Sequence, residues 1–190
     1  MYSARVEHAV TTMLEAHGLR RRKEGRGFEA SHALSVALIT ADFGLDEDTV
    51  VAALLHDTLE DTDLDPGVIE TRFGKPVLRM VQDVSEPPRP ARWKTRKLAY
   101  LEQLRTTPRL GSLAVASADK IHNLTKMVVG IESRGAAFLH AFSAGLDEMQ
   151  WYQNAVYDLA AERWRHAILE EHRRRLDAFL EAASALEGRE

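Results

Sequence analysis

The sequence predicts an all-α fold, a bundle of about eight to ten helices. Three observations carry that expectation. Apolar residues recur at helical spacing nearly throughout, and Ser, Asp, Pro and Gly fall where helices would begin and end. No alternating polar and apolar pattern bounded by turn residues suggests a strand.

Taken in order, residues 3–17 carry Val6, Val10, Met13 and Leu14 at helical spacing. Ser31 can cap a second helix through HALSVALITADF, ended by Gly44. Asp46 opens a third over LDEDTVVAALLHDTLEDT, with acidic residues in its first turn, where the helix dipole favours them. DPGVIETRFG has Asp65 at the N-cap, Pro66 at the first helical position and Gly74 past the last turn. KPVLRMVQDVS follows and stops at EPPRP (86–90), because proline cannot continue a helix. Trp93 to Leu104 is amphipathic, SLAVASADKIHNLTKMVVGI makes a long helix that is mostly apolar at first, and two more fit 136–164 and 166–187. No repeat or low-complexity linker interrupts the chain, so one domain over 1–190 is expected.

The bulk properties narrow the function classes. A length of 190 residues suits one domain with a well-formed core, and 45% hydrophobic with 28% charged residues is ordinary for a globular protein. A net charge of −4 argues against a dedicated nucleic-acid binder. The basic clusters RRRKEGR (20–26) and RPARWKTRK (89–97) are most simply solvated faces unless an anion binds beside them. With no cysteine, disulfides and thiolate metal sites are excluded, whereas eight histidines remain as ligands. No apolar run approaches the roughly 20 residues that span a bilayer, and the N-terminus lacks a signal peptide's apolar centre. A cytoplasmic protein without membrane or nucleic-acid partners is the expectation.

The end of the third helix is the anomaly. Val50 to Leu55 is the most apolar run, and His56, Asp57, Glu60 and Asp61 follow it at once. Buried ionisable groups are expensive unless paired or bound to a metal. In one continuous helix His56 and Glu60 share a stripe, Asp57 and Asp61 share the next, and the two stripes converge beside the helix. The plain alternative is a wet C-terminal turn, although the helix dipole disfavours carboxylates there. His32 lies on the apolar SHALSVALI helix, where a lone histidine is more often a satisfied core residue. Asp119 follows the apolar stretch of LAVASADKIHNL and needs a partner. His32, His56, Asp57 and Asp119 together make a two-histidine, two-aspartate set of the kind that suits Mn(II), Fe(II), Mg(II) or Zn(II).

That His…His-Asp…Asp set resembles the metal signature of the HD phosphohydrolase superfamily. ALLHDTLEDT, with FGKPVLRMVQDVSE and ADKIHNL, resembles more closely the hydrolase domain of the RelA/SpoT-type (p)ppGpp enzymes, in the form of a stand-alone small alarmone hydrolase. The likeness runs from about residue 20 to 130; 136–190 is then a helical C-terminal extension of a single HD-type domain.

The resemblance implies that His32, His56, Asp57 and Asp119 hold Mn(II), with Fe(II), Mg(II) or Zn(II) as alternatives. It links Glu60 and Asp61 to catalysis, in which the 3′-pyrophosphate of (p)ppGpp is removed to give GDP or GTP. Glu60 is the natural base, while Asp61 orients water or completes the outer shell. Arg22 and Lys23 fit an Arg-Lys pair near the purine base and phosphates. Lys94, Arg96 and Lys97 would face the pyrophosphate, and Asn123 matches an asparagine beside the ribose. For each of these a solvated loop or a structural hydrogen bond is the plain alternative; His122 reads as a packing or outer-shell residue.

The chain departs from the pattern around the first histidine, where GRGFEASHA stands for GxPYxxHP, and at Thr125-Lys126, where Arg-Thr is common. These changes touch the nucleotide pocket, so adenosine alarmones or another 3′-phosphorylated nucleotide such as NADPH stay open. So do a 5′-nucleotidase of the same superfamily and a non-catalytic nucleotide-binding regulator. In the tail, Trp151, Tyr152 and Trp164 read as core or interface residues, and EEHRRRL as a solvated face or a contact within a homo-oligomer.

Overall fold

A helix that is apolar on every side must be covered on every side. In the computed structural model, which describes residues 3–22, 27–87 and 92–187, this is the fate of α3 (Glu47–Leu55). Every residue from Thr49 to Leu55 is buried. Around α3 pack α1 (Ala4–His17), α2 (Glu29–Asp42), α6 (Lys75–Val84) and the long α8 (Leu110–Arg134). The other elements are α4 (Thr58–Asp61), α5 (Pro66–Phe73), α7 (Trp93–Thr106), a 3-10 helix (Gly135–Ala141), α9 (Leu146–Arg163) and α10 (Ala167–Glu187). Among the described residues there is no strand, only an isolated antiparallel bridge between Arg21 and Phe28. The fold is the all-α bundle that the periodicity predicts.

α8 joins two apolar clusters. Its first half packs into the core around α3, and its second half, with Leu124, Met127 and Ile131, packs against Phe138, Leu176 and Phe179. α10 lies along α8 in the most extensive helix pairing of the molecule. Gly130 permits the 3-10 segment to close on α8, since a Cβ there would stand 2.4 Å from the Phe138 ring. No helix among the described residues is long and apolar enough to cross a membrane.

Three elements differ from the sequence expectation. α2 starts two residues before Ser31, which is therefore inside its first turn. The Ser31 hydroxyl accepts from the Phe28 N–H at 3.1 Å and donates to the Phe28 carbonyl at 2.6 Å. The third helix is broken at His56–Asp57, with α4 a separate turn. There His56 Nδ1 donates to the Ala53 carbonyl (2.7 Å) and the Thr58 hydroxyl to the Leu55 carbonyl (2.6 Å), so side chains take acceptors the next helical turn would use. Finally, 136–145 is not α-helical. Gly135 at φ 58° ends α8, the 3-10 helix follows, and α9 begins only at Leu146.

Leu54 is 1% exposed at the centre of this packing. Leu54→Ala is expected to cost about 2–5 kcal/mol in urea unfolding through the cavity it leaves. A loss under about 1 kcal/mol would contradict the enclosure of α3.

Candidate metal centre

The break at His56–Asp57 is what makes the site. Adjacent residues of a regular helix point about 100° apart and do not face each other. With Asp57 at φ −92°, ψ −5°, its Oδ2 comes within 3.2 Å of His56 Nε2. His32 arrives from α2, its Nε2 lying 3.2 Å from His56 Nε2 and 3.5 Å from Asp57 Oδ2. Asp119 arrives from α8 and places Oδ1 3.1 Å from His32 Nε2. Both imidazoles are buried.

Four such atoms so close require positive charge among them, from a proton or from a bound cation. The outer contacts fix which ring nitrogens are available: His56 gives its Nδ1 proton to the Ala53 carbonyl, and His32 Nδ1 lies 2.8 Å from His122 Nδ1. Each histidine thus turns Nε2 inward, the usual arrangement of a metal-ligating imidazole. Ligands about 2.1 Å from an ion and at right angles to one another lie about 3.0 Å apart, close to the separations here. The donor set fits a divalent first-row ion or Mg(II).

The electrostatics agree. Burial pulls His56 down, but the neighbouring Asp57 carboxylate, with Asp119 behind it, lifts the imidazole to about 9. Against its own burial, Asp57 is held far below the usual carboxylate range by His56 and His32. Asp119 is held low in the same way, first by Lys120 and then by His32. Burial keeps His32 below its ordinary value despite both aspartates, and burial, His32 and Arg22 lower His122 to about 4. With no ion bound, a proton on His56 Nε2 supplies the positive charge that the acceptors require; a bound ion would take that proton's place.

Asp119 is itself held in place. Lys120 Nζ donates to Oδ2 (2.6 Å) and Asn123 Nδ2 to Oδ1 (2.5 Å), while Arg22 Nη2 donates to Asn123 Oδ1 (3.1 Å). Lys120 is buried and lies over the Tyr100 and Tyr152 rings. Arg22 also pairs with Glu29 (3.3 Å). Oxygens of Glu29, Asp57 and Asp61 lie within 4.8 Å of one another, with Arg20 beside Asp61 at 3.6 Å.

The centre forms part of the wall of a cavity of about 790 Å³. Arg20, Arg21, Arg22, Arg92 and Lys126 bring positive charge to a lining that also holds carboxylates, among them Glu29, Asp61 and Glu86, and Met127, Phe138, Phe142 and Met149 give it an apolar wall. Glu60 stands beside the ligands, its Oε1 accepting from Arg96 Nη2 (2.9 Å) and its Oε2 from the Glu86 N–H (3.2 Å).

The sequence candidates fare unequally. The structure brings His32, His56 and Asp119 into one cluster, sets Asp57 against both imidazoles, and places Glu60, Asp61, Arg22 and Asn123 in the cavity wall. Lys94 is exposed, with Nζ 5.4 Å over the Trp151 ring, and is not among the residues of the wall. Arg96 and Lys97 reach the cavity, but Glu60 and Glu86 occupy them, so neither stands ready for an anion. Lys23 lies outside the described residues. Sequence reasoning missed Glu86, Lys120, Arg20, Arg92, Lys126 and the tail residues Phe138, Phe142, Met149 and Tyr152. Lys120 left a signal as a second charge next to Asp119 in an otherwise apolar stretch, and Arg20, Arg92 and Lys126 lay in stretches singled out without being assigned a role.

Comparison with known proteins adds to this geometry. The sequence pattern of the HD domain family matches residues 9–142. MESH1 of Homo sapiens, a guanosine-3′,5′-bis(diphosphate) 3′-pyrophosphohydrolase, is 32% identical over 125 residues, which cover 64% of this chain and 69% of that protein. A protein of Aquifex aeolicus with the same activity name is 41% identical over 85 residues, 45% of this chain. The chain spans only 12% of that longer relative's length. The fold matches two solved structures: that of a metazoan ortholog of SpoT that hydrolyzes ppGpp, with a TM-score of 0.76, and that of a Listeria monocytogenes protein, with a TM-score of 0.68. The metazoan structure has the higher score, 24% identity, and covers 95% of this chain and 96% of its own; the Listeria protein is 32% identical and covers 76% and 96%.

Proposed function

Because the chain belongs to the HD domain family, we propose that it is a metal-dependent phosphohydrolase that removes the 3′-pyrophosphate of (p)ppGpp or a related purine alarmone, giving GDP or GTP. The observation that carries this reading is the convergence of His32, His56, Asp57 and Asp119 near Glu60 at the wall of a cavity that also carries arginines and lysines. The activity names of the human and Aquifex relatives point to the same substrate class.

In this reading His32, His56, Asp57 and Asp119 hold the ion. Mn(II) is the assignment, since two imidazoles and two carboxylates suit it better than Mg(II), which prefers an all-oxygen shell; Fe(II) and Zn(II) would accept the same donors. When bound, the ion acidifies water and draws charge from a phosphoryl oxygen. Glu60 takes the proton of the attacking water. The water oxygen bonds to the phosphorus next to the ribose, the bond from that phosphorus to the 3′-oxygen breaks, pyrophosphate departs, and the 3′-oxygen becomes a hydroxyl by taking a proton from solvent or from the protonated Glu60. Asp61, anchored by Arg20, orients the water, and Asn123 holds Asp119. Arg92 and Lys126 offset the substrate's negative charge. The C-terminal helices belong to the same catalytic domain, because Phe142 and Tyr152 stand in the cavity wall.

Two measurements test the proposal. With Mn(II), the purified protein is expected to release pyrophosphate from ppGpp or its adenosine counterpart. Release of orthophosphate from NADPH or from 5′-monophosphates would transfer it to another phosphohydrolase class, and no product from any of these would leave a binding protein. Mn(II) at a hundred times its dissociation constant should stabilise the fold by about 2.7 kcal/mol, read as a rise in melting temperature that EDTA reverses. An unchanged melting temperature would count against the ligand set.

A further inference from the structure

Arg96 carries more than the role of a cation for phosphate. Its Nη2 donates to Glu60 Oε1 at 2.9 Å and to Glu86 Oε2 at 2.6 Å, which ties the two carboxylates together. Glu86 holds Glu60 from the other side: past the end of α6 its N–H has no helical acceptor and donates to Glu60 Oε2 at 3.2 Å. Lys97 Nζ bonds the remaining oxygen of Glu86. The Arg96 and Glu86 side chains are 11% and 9% exposed, so little water screens the group.

We infer that Arg96 and Glu86 are positioning residues that act on Glu60 in opposite senses, Arg96 holding its carboxylate oriented and ionised, Glu86 orienting it through the amide while opposing its charge. The inference rests on the reading of Glu60 as the base. The titratable groups that face Glu60 are His56 after α3, Asp57 before α4, Glu86 after α6, Arg96, Lys97 and Tyr100 on α7, and Asp119 and Lys120 on α8 across a small shared cavity. Burial, Glu86 and Asp57 together push Glu60 up to about 7, and the Glu86 amide and Arg96 resist. A base poised near neutrality takes a proton at physiological pH and gives it up again, which a free glutamate does poorly. Arg96 and Glu86 are therefore the pair through which the fold sets that balance.

The test is the titration of the Glu60 carboxyl by 13C NMR in the protein with saturating Mg(II), the resonance being assigned by its loss in Glu60→Gln. Arg96→Gln should move the midpoint up by about 1 on the pH scale, and Glu86→Gln should move it down by a similar amount. Arg96→Lys should restore most of the first shift. The acid limb of the pyrophosphate-release profile should follow each change. Shifts in the same direction, or no shift in either variant, would overturn the inference. If Arg96→Gln does not fold, the direction in Glu86→Gln decides alone. A wild type that titrates as described but releases no pyrophosphate would sink the proposed activity and leave the pairing intact.

Discussion

Asp57→Ala is expected to remove bound metal and turnover together while leaving the helices in place. Asp57 Oδ2 touches both imidazoles, at 3.2 and 3.5 Å, and no other described carboxylate does so. Losing it deprives an ion of a charged ligand and leaves His56 without the anion that lifts it to about 9. A stabilisation of several kcal/mol disappears, so pyrophosphate release should fall by about 10³ or more. The fold should survive, because Asp57 lies in the turn before α4 and makes no capping bond with its side chain. Metal content by atomic absorption, product release and far-UV circular dichroism read the three effects separately. Full turnover in this variant would take the metal centre out of the mechanism.

Glu60→Gln should separate what Asp57→Ala removes at once. Glu60 is outside the ligand cluster, so the variant is expected to retain its metal, whereas loss of the base lowers turnover by about 10²–10⁴. The pH dependence follows from the charge state. A base works only when deprotonated, and burial with Glu86 and Asp57 raises Glu60 to about 7. Activity of the wild type should therefore fall as pH drops through that region and level off above it. A bound divalent cation displaces the limb to lower pH by favouring the carboxylate. In Glu60→Gln the limb should vanish; its persistence at the same pH would assign it to another group.

The fold was legible because its signals are local. Ser3, Asp46 and Asp65 each accept from a backbone N–H at the start of their helix, and Pro66 and Gly74 stand at the ends of α5 as the sequence predicts. The break at His56–Asp57 was not legible. The same residues satisfy helical spacing, and only the side-chain bonds to the Ala53 and Leu55 carbonyls show that the helix stops. Likewise 136–164 has helical periodicity, but Phe138 packs against Gly130 and the chain there is held as a 3-10 turn.

The basic residues show why contacts were harder to read than elements. Lys94, Arg96 and Lys97 fall within four positions and look equivalent in sequence. On α7 they diverge: Lys94 lies over Trp151 in solvent, while Arg96 and Lys97 turn inward to carboxylates that sit 36 and 11 residues away. Lys120, read from sequence as part of a motif, is a buried cation between Asp119 and two tyrosine rings.

By itself the sequence determined that the chain is helical, where most helices start and stop, and which histidines and aspartates lack a reason to be apolar neighbours. Those properties depend on residues within about one or two helical turns of each other. The tertiary structure alone decided that the four candidate ligands meet, that Glu60 is held by Arg96 and Glu86, and that the C-terminal segment walls the cavity. A charge takes its partner from whatever the packing of α2, α7 and α8 brings within about 3 Å, and spacing along the chain carries no record of that distance.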